Sequence, residues 1–117
     1  MDPETHVILI VEDEPLLREA IALHFSAAGW QVLQSASAEE ALDLLARHSP
    51  VVVFTDIQLG GRLSGWDLGK ACCEGGVPVV YTSGQAAPQN NAQADGRFFA
   101  KPYEPDAVLA ACTRWRS

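Results

Sequence analysis

Residues 7–13 have the sequence VILIVED and residues 51–56 have the sequence VVVFTD, and these two stretches indicate the class of fold. Each begins with an apolar run rich in β-branched residues, which is typical of a parallel strand covered by helices on both faces. Each run leads directly into carboxylates, Glu12 and Asp13 in the first and Asp56 in the second. Because parallel strands end at one edge of a sheet, these acidic side chains are expected to meet there.

Helix and strand patterns alternate along the rest of the chain. Helices are predicted to begin near Pro15, Ser37, Ser64 and Pro105, and further strands are predicted at 31–34, 77–81 and 97–100. The second and fifth strands are the least apolar, so they are predicted to form the edges of the sheet in the order 2-1-3-4-5. This is a flavodoxin-like α/β fold, a three-layer sandwich with a five-stranded parallel sheet between helices.

Composition predicts one folded unit and argues against two classes of partner. A length of 117 residues matches a single domain, taken as residues 1–117, and the 48% of hydrophobic residues can form its core. The net charge of -7 disfavours nucleic acid and anionic membranes as direct partners. The start MDPETH lacks the features of a signal peptide, which favours a cytoplasmic location. Cys72, Cys73 and Cys112 lack the spacing of bridges or metal ligands and are expected to be buried, reduced thiols.

Polar side chains follow four of the predicted strands. Glu12 and Asp13 follow the first strand, Asp56 ends the third, Thr82 follows the fourth and Lys101 follows the fifth. Three carboxylates in one pocket would repel one another and raise each other's pKa unless a cation were bound. An all-oxygen ligand set of this kind suits Mg²⁺, so the sequence predicts a magnesium site.

With these groups in this order, essentially the whole chain resembles the response regulator receiver domain, the CheY-like family of two-component systems. The motifs that carry the resemblance are Glu12-Asp13, Asp56, Thr82 and Lys101-Pro102. Each motif is weak alone, but all four in register are a specific signal. The resemblance implies a phosphorelay function, in which a sensor histidine kinase or a phosphotransfer protein donates a phosphoryl group to the domain.

The resemblance also implies a ligand set for the metal. Asp56 would be the phosphoacceptor, its carboxylate attacking phosphorus to form an acyl phosphate. Mg²⁺ would be held by Asp13, Asp56 and the backbone carbonyl of Gln58, with Glu12 acting directly or through water. No enzymatic reaction is expected beyond self-phosphorylation and autodephosphorylation on Asp56.

Three further residues would bind the phosphoryl group or respond to it. Lys101, joined to Pro102 by a cis peptide bond in similar receivers, would pair with the phosphoryl oxygens. Thr82 would hydrogen-bond the phosphoryl group once it has formed. Phe98 matches the aromatic switch position, which moves inward as Thr82 moves.

Two segments depart from the commonest pattern of the family. The loop from Leu59 to Gly65 lacks the usual proline, is rich in glycine and is one residue longer than usual. Residues 84–96 contain no large apolar side chain, so a loop or a short turn is predicted where most receivers have a fourth helix. The fourth helix is therefore expected to be short or missing.

Several alternatives remain open at the level of single residues and of function. Glu12 could face solvent, Thr82 could be an ordinary strand residue, and Phe98 could be plain core. A phosphohydrolase with an aspartyl nucleophile would need an acidic residue at position 58, which is Gln58. A flavodoxin-type FMN carrier would need a phosphate-binding loop at residues 12–15, three of which are acidic here. A pseudo-receiver would not need its acidic residues, and a receiver cut from a hybrid histidine kinase or a larger regulator would have the same sequence features.

Overall fold

A parallel sheet of five strands forms the centre of the computed structural model, which describes residues 6–85 and 97–116. The described elements are, in chain order, β1 (Val7–Val11), α1 (Pro15–Ala27), β2 (Gln31–Ser35), α2 (Ala38–Arg47), β3 (Val52–Asp56), α3 (Gly65–Glu74), β4 (Val79–Ser83), β5 (Phe98–Ala100) and α4 (Pro105–Thr113). The strands lie in the order β2-β1-β3-β4-β5, which confirms the flavodoxin-like, CheY-like arrangement predicted from the sequence.

Two hydrophobic layers cover the faces of this sheet. Ile8 and Ile10 of β1 pack into the layer that includes residues of α1 and α4, whereas Leu9 and Val11 pack into the layer that includes residues of α2 and α3. All four side chains are buried. Because successive strand residues point to opposite faces, the continuous apolar run of β1 fills both layers and produces the three-layer sandwich.

The helices begin at the residues that the sequence indicates. Ser37 caps α2, its Oγ accepting a hydrogen bond from the Glu40 N–H at 3.1 Å. The spacing of Ser37 and Glu40 predicts a capping box, in which the Glu40 carboxylate would accept from the Ser37 N–H. It accepts instead from the N–H of Ala36 at 3.2 Å, one residue before the cap, so the box is only half formed. Ser64 and Asp67 form a complete capping box at the start of α3.

Several predicted element boundaries were wrong by one or two residues, among them the end of β2, which is Ser35, and the start of β5, which is Phe98. The fourth strand begins at Val79 instead of residue 77, because Pro78 has no N–H to donate to a neighbouring strand. It continues to Ser83, so Thr82 lies inside β4 and not after it. The spacing of Val108, Cys112 and Trp115 predicts that all three share one face of the last helix, but this helix ends at Thr113. Trp115 follows it, and its N–H donates to the Cys112 carbonyl at 3.0 Å.

The prediction for the cysteines is correct for two residues and wrong for the third. Cys72 and Cys112 are buried, whereas Cys73 is exposed, because the next residue along α3 is rotated by about 100° away from the buried face. None of the helices within the described ranges is both long and apolar enough to span a bilayer. The predicted loop at 84–96, and with it the short or missing fourth helix, lies outside the described residues after Gln85.

Candidate functional site

The predicted site residues meet at the carboxyl edge of the sheet. Glu12 directly follows β1, and its N–H donates to the Ser35 carbonyl at the end of β2. Asp56 is the last residue of β3 and pairs in register with Thr82 of β4. Lys101 directly follows β5, and its N–H donates to a carbonyl of β4 at 2.8 Å. Backbone pairing between parallel strands therefore aligns side chains that are far apart in the sequence.

Lys101 forms ion pairs with two buried carboxylates. Its Nζ lies 2.7 Å from Glu12 Oε1 and 2.7 Å from Asp56 Oδ2. The other carboxylate oxygens accept from backbone groups, Glu12 Oε2 from the Glu14 N–H at 3.1 Å and Asp56 Oδ1 from the Gln58 N–H at 3.0 Å. The peptide bond between Lys101 and Pro102 is cis, as the resemblance implied.

The protonation of this group reflects its burial and its charges. Burial raises the pKa of Glu12, and the charge of Asp56 adds to this effect, although hydrogen bonds from Lys101 and the Glu14 N–H oppose it. Burial by itself would lower the pKa of Lys101, but hydrogen bonds to Asp56 and Glu12 outweigh burial and raise it. Lys101 is therefore held in its charged form, and one ammonium group faces two carboxylates.

A third carboxylate joins this pair. Glu12, Asp13 and Asp56 each offer an oxygen, and these atoms all lie within 4.8 Å of one another. Asp13 is exposed while the other two residues are buried, so the cluster opens to solvent on the Asp13 side. Gln58 lies beside the cluster, since its N–H donates to Asp56. Carboxylate oxygens are ligands that Mg²⁺ prefers, so this cluster could hold such an ion.

Thr82 and Phe98 lie near the site, but the side-chain hydrogen bond of Thr82 and the strand pairing of Phe98 are with residues outside the carboxylate cluster. Thr82 is buried, and its Oγ1 donates to the Phe99 carbonyl of β5 at 2.6 Å. Phe98 is half-buried and pairs in register with Tyr81, the residue before Thr82. Phe99 packs against the core layer that includes residues of α1 and α4. Thr82 would therefore have to exchange its bond with Phe99 for a bond to a phosphoryl group.

Ser83 is a site residue that the sequence analysis missed. Its Oγ donates to Gln58 Oε1 at 2.6 Å and accepts from the Gln85 N–H at 3.0 Å. The Ser83 hydroxyl thus links β4 to Gln58, which lies two residues after Asp56. A rule that counts every polar residue at the carboxyl end of a central strand would have found it, because Ser83 ends β4.

The fold and the site together define a class of protein. A parallel flavodoxin-like sheet with acidic residues, a threonine and a lysine at the carboxyl ends of its strands is the arrangement of a phosphoacceptor domain. The family model described as the response regulator receiver domain matches residues 8–113, and the chain belongs to this family. The membership predicted from the sequence is thereby confirmed.

Individual relatives agree with this assignment. The chain is 29% identical over 116 residues to the transcriptional regulatory protein KdpE of Mycobacterium tuberculosis, covering 89% of this chain and 48% of the relative. It therefore spans about half the length of that protein. Among solved structures, the response regulator receiver protein from Sinorhizobium medicae has a TM-score of 0.85 at 25% identity and covers 97% of this chain and 96% of its own. The receiver domain from the hybrid histidine kinase CckA has a TM-score of 0.78 at 27% identity, covering 95% and 99%.

Proposed function

We propose that this chain is a phosphoacceptor of a two-component system and that Asp56 takes the phosphoryl group from a sensor histidine kinase or a phosphotransfer protein. The observation that carries the proposal is the contact of Lys101 Nζ with Asp56 Oδ2 at 2.7 Å, in a carboxylate cluster at the carboxyl edge of the sheet. A lysine held against an acceptor carboxylate is already in place to contact the phosphoryl oxygens after transfer.

The transfer is a displacement at phosphorus. An oxygen of the Asp56 carboxylate attacks phosphorus, the bond from phosphorus to the donor nitrogen breaks, and its electron pair leaves with the donor. The product is an acyl phosphate on Asp56. Lys101 then exchanges its contact with the Asp56 carboxylate for the new phosphoryl oxygens, whose charge it offsets.

The carboxylate cluster supports a role for Mg²⁺ in this reaction. The ion would be held by Asp13, Asp56 and the backbone carbonyl of Gln58, with Glu12 close enough to act directly or through water. It would neutralise part of the negative charge of the acceptor and of the incoming phosphoryl group. The excess of carboxylates over the single ammonium of Lys101 supports this requirement for a further cation.

Signalling would follow from a change in the bonds of Thr82. Once Asp56 carries a phosphoryl group, the Thr82 hydroxyl would leave the Phe99 carbonyl and donate to a phosphoryl oxygen. Loss of the 2.6 Å bond would remove the side-chain link between Thr82 and β5, while the backbone pairing of β4 with β5 would remain. Phe98, which precedes Phe99 and is half-buried, would then move inward as the aromatic switch.

The remaining parts of the proposal concern the context of the domain. We infer that residues 1–117 form one receiver domain, that it acts in the cytoplasm, and that it binds neither nucleic acid nor membranes directly. Its chemistry would be limited to self-phosphorylation and autodephosphorylation. A receiver module of a larger regulator or of a hybrid kinase is the alternative, and relatives of both kinds are similar to this chain.

Incubation with phosphoramidate and Mg²⁺ tests the acceptor directly. Intact-mass spectrometry should show one added phosphoryl group on the parent protein and none on Asp56→Asn. Asp43→Asn is the matched control, since Asp43 is an exposed carboxylate of α2 and should leave labelling unchanged. Undiminished labelling of Asp56→Asn would overturn the proposal. Transfer from a panel of purified histidine kinases would then identify the partner.

A further inference from the structure

Glu39 connects the first turn of α2 to the loop between β3 and α3, residues 57–64. Its Oε2 accepts hydrogen bonds from the backbone N–H groups of Arg62 at 2.9 Å and Leu63 at 3.2 Å. A hydrogen bond from the backbone N–H of Glu39 itself, together with these two, lowers the pKa of its carboxyl group. Glu39 thus stays ionised, and a charged acceptor strengthens both bonds to the loop.

The same loop borders the carboxylate cluster. A methyl group added at Gly61 would lie 2.7 Å from Glu39 Oε1, so the loop backbone is in close contact with this carboxylate. A methyl group added at Gly60 would lie 3.5 Å from Asp13 Oδ2. Adjacent residues of the loop therefore adjoin Glu39 on one side and the carboxylate cluster on the other.

The loop residues between Glu39 and the carboxylate cluster include two glycines. Gln58, whose carbonyl is a proposed metal ligand, lies near the start of the loop, and two glycines follow Leu59. Leu59 and Leu63 pack against the core layer that includes residues of α2 and α3, but Gly60 and Gly61 have no side chains with which to do so. Glycine has the greatest conformational freedom of any residue, so this stretch needs an external contact to hold one conformation.

We propose that Glu39 is a positioning residue for the metal site of this receiver, holding the β3–α3 loop so that Gln58 and Gly60 keep their places beside Asp56 and Asp13. The inference rests on the proposed function, since it concerns the Mg²⁺ site of the phosphoacceptor. Glu39 contacts no proposed ligand itself and acts through the loop backbone. Groups that orient metal ligands contribute to affinity by reducing the rearrangement that binding requires.

Three variants separate loop anchoring from simple loss of charge. Glu39→Ala removes the acceptor of both loop N–H groups. Glu40→Ala is the matched control, because Glu40 lies in the same first turn of α2 and carries the same charge but accepts from Ala36 instead of the loop. Glu39→Gln keeps one carbonyl oxygen at the position that accepts both bonds. Thermal melts of all variants confirm that each is folded.

Two measurements are made on each variant, Mg²⁺ binding by calorimetry and exchange of the backbone amides of Arg62 and Leu63. Glu39→Ala should bind Mg²⁺ about tenfold more weakly, at the lower end of the ~10–100-fold range for groups that support metal ligands. The two amides should lose protection in this variant. Glu40→Ala should keep the parent's affinity within about twofold, and Glu39→Gln should lie closer to the parent than to Glu39→Ala.

Three other outcomes of these measurements would contradict the inference. If Mg²⁺ binding is weakened equally in Glu39→Ala and Glu40→Ala, the cause is the loss of one negative charge and not the loss of the loop contact. Unchanged Mg²⁺ affinity in Glu39→Ala, while the parent binds Mg²⁺, would overturn the role of Glu39 and leave the proposed function standing. If the parent itself binds no Mg²⁺, the metal site of the proposed function fails and the inference fails with it.

Discussion

The ammonium group of Lys101 lies 2.7 Å from the carboxylate of Asp56, whose side chain is only 5% exposed. The same ammonium contacts Glu12, so Lys101→Met would leave two buried carboxylates without their shared cation. We expect this variant to lose about 1–3 kcal/mol of unfolding free energy, measured in urea with a chelator present. The loss should be below the ~3–5 kcal/mol of a fully buried pair because 23% of the Lys101 side chain is exposed.

Lys70→Met is the control for this measurement. Lys70 is the only other lysine of the chain and is exposed on α3. It should change the unfolding free energy by no more than about 0.5 kcal/mol. Mg²⁺ in excess should restore part of the stability of Lys101→Met, since it supplies the missing positive charge. Equal losses in the two variants would contradict the importance of the buried contact.

Asp13 should destabilise the protein when no metal is bound. Its carboxylate lies within 4.8 Å of oxygens of Glu12 and Asp56, and like charges at this distance repel one another. We expect Asp13→Asn to raise the unfolding free energy in chelator by about 1 kcal/mol, because Asp13 is exposed and the repulsion is screened. This corresponds to an increase in melting temperature of roughly 3–5 °C.

The same substitution should weaken Mg²⁺ binding, so that stability and metal affinity change in opposite directions. Asp43→Asn serves as the comparison, because it removes the same charge from an exposed position on α2. It should change neither quantity measurably. A melting temperature of Asp13→Asn below that of the parent in chelator would show that Asp13 is not under repulsion.

The buried thiols predict a loss of stability at alkaline pH. Burial raises the pKa of Cys72 to about 11 and the pKa of Cys112 to about 12, from an ordinary value of 9.0 in the unfolded chain. Because the folded state holds these protons more tightly, unfolding releases protons above pH 9.0, and stability falls as the pH rises from 9.0 toward about 11. Each thiol should contribute a slope of up to about 1.4 kcal/mol per pH unit in that window.

Denaturant unfolding at about pH 8 and about pH 10.5 measures this slope. The double variant Cys72→Ala/Cys112→Ala should lose less stability between the two values than the parent, even if its cavities make it less stable at both. The same slope in the parent and the double variant would show that other groups cause the alkaline loss.

The sequence predicted the strand order and the edge of the sheet at which the acidic residues lie, because both depend on local patterns. The apolar runs that become β1 and β3 identify central strands, and the carboxylates after them then fall at the predicted edge. Contacts between distant segments were not predictable in this way. Nothing near Glu39 indicates that its carboxylate accepts N–H groups 23 and 24 residues later, and nothing near Lys101 shows that it contacts Glu12 as well as Asp56.

Thr82 offers a test of how phosphorylation reaches β5. Its Oγ1 donates to the Phe99 carbonyl at 2.6 Å, and Thr82→Val keeps the shape of the side chain while removing this donor. Loss of this side-chain hydrogen bond should cost about 1 kcal/mol of unfolding free energy. Labelling of Asp56 by phosphoramidate should persist, since the hydroxyl is not part of the attacking group.

The amide resonances of Phe98 and Phe99 report the conformational response. In the parent protein, phosphoramidate with Mg²⁺ should shift both resonances, because under the proposed function the Thr82 hydroxyl would leave the Phe99 carbonyl for the phosphoryl group. Thr82→Val cannot make this exchange, so its shifts should be much smaller at equal labelling. Thr82→Ser keeps the hydroxyl and should retain the parent shifts. If Thr82→Val responds as fully as the parent, the signal reaches β5 by a route that does not include the Thr82 hydroxyl.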